Sequence, residues 1–274
     1  MRGLPVLLLT ALIGGAPAWG QAGVALRDPY GARAMALGGA GVALAGTGMR
    51  NPAAPASLAD AAVSLYMDRA FGLPELQTMA AQAQMPTRAG MVRLGLSSFG
   101  YEHFRAVHIA LGMARGLRLG TTRTLEAGLA VCYDHLTLGA EYGAAGAIGV
   151  DVGLRTALTE RLSGGARATN LFRAELAGRE PLPRRLTIGL AYAVSDQVTV
   201  ATDVEQEVRT PMRVAAGVEA RVAGPLTVRA GAGSGPQQLA LGFGVAAGRL
   251  TAAAAFARHE ALGWTPAVEF GIGF

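Results

Sequence analysis

The chain has 274 residues, 51% of them hydrophobic and only 16% charged, with a formal net charge of +5. Soluble domains carry about a quarter charged residues, so this composition excludes a disordered or solvating chain. Past the N-terminus no apolar run reaches the roughly 18 residues of a spanning helix, which excludes a helical membrane bundle and leaves a closed β-barrel as the membrane option.

In chain order, the first segment reads as a secretory signal peptide over residues 1–20. Arg2 supplies the positive region, Leu4 to Gly15 an apolar core, and Ala18-Trp19-Gly20 a small-residue cleavage site. No cysteine follows that site, and the single Cys132 cannot form an internal disulfide. Lysine is absent, so all 24 basic residues are arginine, scattered singly. That scatter argues against nucleic-acid binding. It suits guanidinium groups that face lipopolysaccharide phosphates or line a lumen.

Residues 21–61 do not alternate as strands. Tyr30 to Ala45 is an Ala-rich, Gly-interrupted helix candidate, followed by Asn51-Pro52-Ala53. A helix of small residues packs well inside a narrow lumen, so this segment is expected to be a plug (hatch).

From residue 62 to residue 274 period-two alternation dominates and divides the chain into about fourteen strands. They are expected at 62–70, 76–85, 89–98, 105–115, 124–136, 146–157, 161–170, 184–194, 197–206, 211–222, 225–232, 237–246, 249–257 and 265–274. In Met212 to Val222, for example, Val214, Ala216 and Val218 alternate with Arg213, Gly217 and Glu219. One face is apolar and free of charge; the other carries charges and small residues. A charge at the bilayer midplane costs about 2–4 kcal/mol, so a charge-free face suits lipid. The small residues opposite suit a crowded lumen. A soluble sandwich would bury its bulky residues and expose its charges. The expected fold is therefore all-β, a transmembrane antiparallel barrel with a short N-terminal helical plug.

The connections at 137–145, 171–183 and 258–264 are longer than Met85 to Arg88, Ser195-Asp196 or Ala223-Gly224, and short turns face the periplasm in outer-membrane barrels. The stretch 116–123 is long for such a turn. Phe71, Phe99, Tyr101, Phe104, Tyr142, Phe172, Trp264 and Phe274 fall near expected strand ends, as in interfacial girdles. The last strand alternates Val268, Phe270, Ile272 and Phe274 with Glu269, Gly271 and Gly273. An aromatic C-terminus of this kind resembles the assembly signal of bacterial outer-membrane barrels. It implies the barrel-assembly machinery as a partner, through Phe274, and the bacterial outer membrane with its lipids and lipopolysaccharide as the location.

No constellation for catalysis, metal or cofactor stands out, so a non-enzyme without cofactor is expected. Asp134 and His135 are neighbours on a strand and point to opposite faces. Neither Gly38–Gly41 nor Gly231–Gly235 has the strand-to-helix setting of a phosphate loop. The expected lumen face carries Arg93, His108, Glu126, Asp134, Asp151, Arg155, Asp203, Glu205, Arg213, Glu219, Arg221, Arg229 and Glu269. Both signs are present, which favours salt-bridged wall and plug contacts over a selectivity ring of one sign.

The string Gly31-Ala-Arg-Ala-Met-Ala-Leu-Gly-Gly-Ala-Gly-Val-Ala-Leu-Ala45 followed by Asn51-Pro52-Ala53 resembles the hatch of FadL-type outer-membrane proteins, and more closely that of their PorV/PorQ branch. The stretch Arg179 to Tyr192 resembles that branch's long loop leading into a strand. The resemblance implies fourteen strands, a plug and a periplasmic N-terminus. Gly46 to Arg50 stands where the family carries an acidic pair and an aromatic residue. Two roles follow from the resemblance. One is an accessory of type IX-like protein secretion, docking secretion components or cargo at the rim. The alternative is a FadL-like channel for hydrophobic small molecules, with Met35, Leu37, Val42, Leu44, Asn51 and Pro52 touching the ligand. A kinked strand beside Asn51-Pro52 and a dry apolar pocket would mark the channel; a filled lumen with an apolar rim patch would mark secretion.

Overall fold

The computed structural model describes residues 31–46, 50–120, 123–139, 143–176, 180–208, 210–235 and 237–274. The expected signal peptide (1–20), residues 21–30 of the expected plug, and Tyr142 lie outside the described residues.

Fourteen antiparallel strands close into one barrel. They are β1 (Ala62–Arg69), β2 (Gln77–Thr87), β3 (Gly90–Tyr101), β4 (Phe104–Leu119), β5 (Arg123–Leu138), β6 (Ala144–Ala157), β7 (Leu162–Ala168), β10 (Arg185–Ala193), β11 (Val198–Glu207), β12 (Arg213–Ala223), β13 (Leu226–Gly233), β14 (Gln238–Ala247), β15 (Leu250–His259) and β16 (Gly263–Gly273). The short β8 (Glu175–Leu176) and β9 (Glu180–Pro181) pair apart from the barrel, within the connection from β7 to β10. Each barrel strand pairs with the next, and β1 closes the ring against β16, from Ala62↔Gly273 to Asp68↔Ala267. Closure leaves no strand edge unpaired in lipid.

The expected strands are all present, with ends displaced by a few residues. The largest displacement is at 116–123. There the alternation of Leu117, Leu119 and Leu125 continues the ladder, and Leu117↔Leu125 and Leu119↔Arg123 are paired. The expected long turn is instead the extended tip of the β4–β5 hairpin. The long-loop end is trimmed as well: β3 and β4 are joined through Glu102-His103 alone, and only 169–184 is extensive.

Alternation sorts the side chains. Leu186, Ile188, Leu190 and Tyr192 of β10 are exposed on the outer face, while Thr187 and Ala191 are buried inward. The same parity puts Leu239, Leu241 and Phe243 of β14, and Phe270 and Ile272 of β16, on the outer face. This apolar outer surface is the lipid belt of a transmembrane barrel. Among the described residues no helix is long and apolar enough to cross a membrane; the strands do so.

Inside the barrel lie residues 31–46 and 50–58. The helix α1 (Gly31–Ala36) is shorter than the Tyr30–Ala45 candidate. It stops because Gly38, Gly39 and Gly41 adopt φ of 69°, 96° and 152°, outside the right-handed helical range. Residues 37–46 continue as turns, and a short 3₁₀ helix follows at Ala54–Ser57. Helix α1 packs against β13 to β16, and the 3₁₀ turn packs against β3 to β6. The segment therefore crosses the lumen from one wall to the other.

Glycines in the wall make room for it. They come as register pairs on neighbouring strands: Gly128↔Gly153, Gly165↔Gly189 and Gly217↔Gly231. A Cβ at Gly128 would fall 2.3 Å from the Pro52 carbonyl, one at Gly165 2.3 Å from the Val42 carbonyl oxygen, and one at Gly231 2.2 Å from the Leu37 carbonyl carbon. No side chain fits at those distances, so the plug backbone lies directly on the wall backbone.

Candidate functional site: the plugged lumen

Charged wall side chains hold the plug by its main chain. On β11, Asp203 Oδ2 accepts hydrogen bonds from the amides of Gly41 (2.9 Å) and Val42 (3.1 Å), and Arg50 Nη2 approaches it at 3.5 Å. The next inward residue on that strand, Glu205, pairs with Arg50 at 3.2 Å. Strand periodicity puts both carboxylates on one face, two residues apart, so that one plug arginine bridges them. The Asn51 amide donates to the Val42 carbonyl at 2.7 Å and to the Leu154 carbonyl at 3.1 Å, while its Oδ1 accepts from the Ala53 amide at 2.9 Å. Asn51 thus ties two turns of the plug to β6.

Other anchors repeat the theme. Arg33 of α1 forms a two-point pair with Glu219, at 2.8 and 2.7 Å, and donates to the Ala45 carbonyl at 2.9 Å. Arg229 holds Glu219 from the wall side at 2.6 Å. Glu269 accepts the Ala32 amide at 2.8 Å, one of the α1 donors that has no partner within the helix. Arg213 donates to the Gly38 carbonyl at 2.9 Å. Arg155 donates to the Ala43 carbonyl at 2.8 Å and forms a two-point pair with Glu126. Arg167 joins Asp151 at 2.6 Å and the Arg50 carbonyl at 3.3 Å.

Small cavities with mixed polar and apolar walls lie beside the plug. Two cavities of about 30 and 40 Å³ lie beside the wall formed by β2 to β7. Both touch His108, Cys132 and Asp151; Arg93 and Gln82 face one, Asp134 and Arg185 the other. His108 and Asp134 are register partners on β4 and β5, joined at 2.9 Å. The connection 169–184 is fastened over this side. The Asn170 side chain bonds to Ala174 and Leu182, its amide donates to Asp151 at 3.0 Å, and Leu176 and Leu182 are buried against Ala147.

The structure places the charges expected in the lumen in different surroundings. Glu126, Arg155, Arg213, Glu219, Arg229 and Glu269 belong to the plug clamp; Arg93, His108, Asp134 and Asp151 line the cavities. Arg221 belongs to neither: it is exposed at the β12–β13 turn, beside the register shift between Arg221 and Ala223. Of the expected ligand contacts Met35, Leu37, Val42, Leu44, Asn51 and Pro52, none lines either of these two cavities. All six are buried, with Leu37 against Gly217 and Gly231, Val42 against Gly165 and Gly189, and Asn51 and Pro52 against Gly153 and Gly128. The strands beside Asn51-Pro52 keep unbroken register from Leu125↔Thr156 to Thr137↔Ala144, with no sign of the kink that would mark the channel. Arg33, Arg50 and Arg167 were not singled out from the sequence. The signal was available: Arg33 and Arg50 are the charged residues between Gly31 and Leu58, and a buried arginine requires carboxylates.

No family model matches the sequence, and no curated protein matches it. Solved structures do match in fold. The monoaromatic hydrocarbon channel CymD aligns at 14% identity with a TM-score of 0.66, over 89% of this chain and 97% of its own. The toluene transporter TbuX of Ralstonia pickettii aligns at 15% identity and a TM-score of 0.64, over 90% and 99%. A FadL homologue of Pseudomonas aeruginosa aligns at 11% identity and a TM-score of 0.57, over 89% and 98%. At these identities the likeness is one of architecture: the chain shares the barrel fold of these three proteins.

Proposed function

We propose that the protein is a non-enzymatic outer-membrane channel for small hydrophobic molecules, with the N-terminal segment as its gate. The observation that carries this reading is the fold shared with the hydrocarbon channel, the toluene transporter and the FadL homologue over about nine-tenths of the chain. The comparisons offer no direct evidence for PorV/PorQ-type secretion; the filled lumen and the unbroken strand register, which would mark that role, are outweighed by the fold shared with the channels.

The lumen is closed in the arrangement described. A cavity of about 150 Å³ accommodates benzene, whereas the two cavities beside the plug measure about 30 and 40 Å³ and have polar groups such as Asp151 and His108 in their walls. Passage of an apolar solute therefore requires the plug or the 169–184 connection to yield. The test is uptake of labelled toluene by cells with a lipopolysaccharide-bearing outer membrane, with and without the protein. The reading expects uptake several-fold faster with the protein. Equal rates, together with secreted proteins co-purifying in fixed proportion, would overturn it.

A further inference from the structure

The short-turn end of the barrel is unevenly charged. Five arginines gather on adjacent turns on one side: Arg88 in the β2–β3 turn, Arg115 and Arg118 at the end of β4, Arg123 at the start of β5, and Arg161 ahead of β7. All five are exposed, and the acidic neighbour on those turns is Glu160. None of their guanidinium groups has a hydrogen bond or ion pair among the described residues.

Geometry concentrates this charge on the hairpin tip. Pairing of β4 with β3 ends at Met91↔Ala114, and pairing of β5 with β6 begins at Leu125↔Thr156. Between those points β4 and β5 pair only with each other, as a two-stranded ribbon standing beyond its neighbours. Arg115 shares its face with Leu111, Met113, Leu117 and Leu119, which are exposed on the lipid side. Register places Arg123 opposite Leu119 on that face, while Arg118 sits opposite Thr124 on the other. The outer face thus passes without a break from the apolar belt to alternating leucine and arginine where the belt ends.

We propose that this β4–β5 tip, with Arg88 and Arg161 beside it, binds the phosphate headgroups of anionic phospholipid in the periplasmic leaflet. Arginine matches phosphate geometrically, with two parallel donors. Its apolar stem, like the neighbouring leucines, remains in the acyl boundary while the charged head reaches the headgroup layer. Single-sign charge continuous with a lipid-facing surface suits a lipid better than a folded protein partner. The orientation follows from the short turns, which face the periplasm in barrels of this class. The inference does not depend on which solute the channel passes.

The test uses the full chain in nanodiscs of phosphatidylcholine with and without phosphatidylglycerol. Lipids retained after extraction are counted by mass spectrometry, for the wild type, for Arg115→Gln/Arg118→Gln/Arg123→Gln, and for Arg249→Gln on a turn of the opposite side. The wild type should retain phosphatidylglycerol preferentially, and the preference should weaken with salt. Each arginine is expected to contribute roughly fivefold, the equivalent of about 1 kcal/mol, so the triple variant should lose roughly a hundredfold. Arg249→Gln should match the wild type. Heat-dependent gel migration checks that each variant is folded, and the single variants Arg115→Gln and Arg123→Gln give the same reading if the triple variant misfolds. Equal retention by wild type and variants would overturn the proposal, as would retention of lipopolysaccharide with no preference for phosphatidylglycerol, or an acidic protein taking the lipid's place.

Discussion

The two sides of the lumen are built from the same alternating strands but filled differently. On β7, from β10 to β14 and on β16, the inward positions at plug height include glycines and carboxylates, and the plug backbone lies on them through Gly165 and Gly189, Gly217 and Gly231, and the anchors Asp203, Glu205, Glu219 and Glu269. From β2 to β4 they are Ala80, Gln82, Arg93, His108 and Ala110, and the plug leaves small cavities beside them. One wall is a clamp and the other is a seam. The barrel is closed by a short segment whose anchors are densest on β10 to β16 and fewer on β5 to β7, rather than because its interior is filled uniformly. Any opening must start where the fastening fails or where the seam widens.

The strongest way to break that asymmetry is Asp203→Ala. It removes the acceptor of two plug amides and leaves Arg50 with Glu205 as its carboxylate, in a site where the Arg50 side chain is 4% exposed. Loss of one partner from a buried charged cluster costs about 3–5 kcal/mol. The plug of the variant should be cut by protease under conditions that leave the wild type intact, while the barrel still migrates as a folded species.

A smaller effect is expected of Gly231→Ala. The new methyl group would meet the Leu37 carbonyl carbon at 2.2 Å, and overpacking of this kind costs about 1–3 kcal/mol. Partial protease sensitivity between Leu37 and Arg50 is the expected readout. Uncut plug in both glycine and aspartate variants would mean that the clamp is not what seats it.

The smallest effect sharpens the comparison from the other side. Ala110→Val adds volume to the wall of the 40 Å³ cavity, so it should change thermal stability by less than about 1 kcal/mol. The same change from Ala to Val on the clamped side, at Ala215, has no such space, because Ala215 packs with Leu37, Ala40 and Leu44. A larger loss at Ala215 than at Ala110 is predicted; equal losses would erase the distinction.

How much of this was legible in the sequence differs between wall and plug. The strands were legible because lipid outside and plug inside impose opposite demands on alternating residues, as in Val214, Ala216 and Val218 against Arg213, Ala215 and Gly217. The inward charges were legible for the same reason. Their partners were not, because Arg33–Glu219 and Arg50–Glu205 span well over a hundred residues and depend on how the plug threads the barrel. The apolar plug residues pointed to a ligand, yet Leu37 and Val42 face glycines whose function is seen only once strands are in register. The 116–123 stretch was misjudged as a turn because its Gly116 and arginines break the apolar pattern, although backbone pairing persists through Leu119↔Arg123.

Conductance across a planar bilayer tests most directly whether the lumen is shut by a plug that Asp203 secures. The wild type should show almost no steady ion current, and Asp203→Ala should open in discrete steps as the plug leaves its seat. A wild type that conducts as an open pore, or an Asp203→Ala variant indistinguishable from it, would contradict the account.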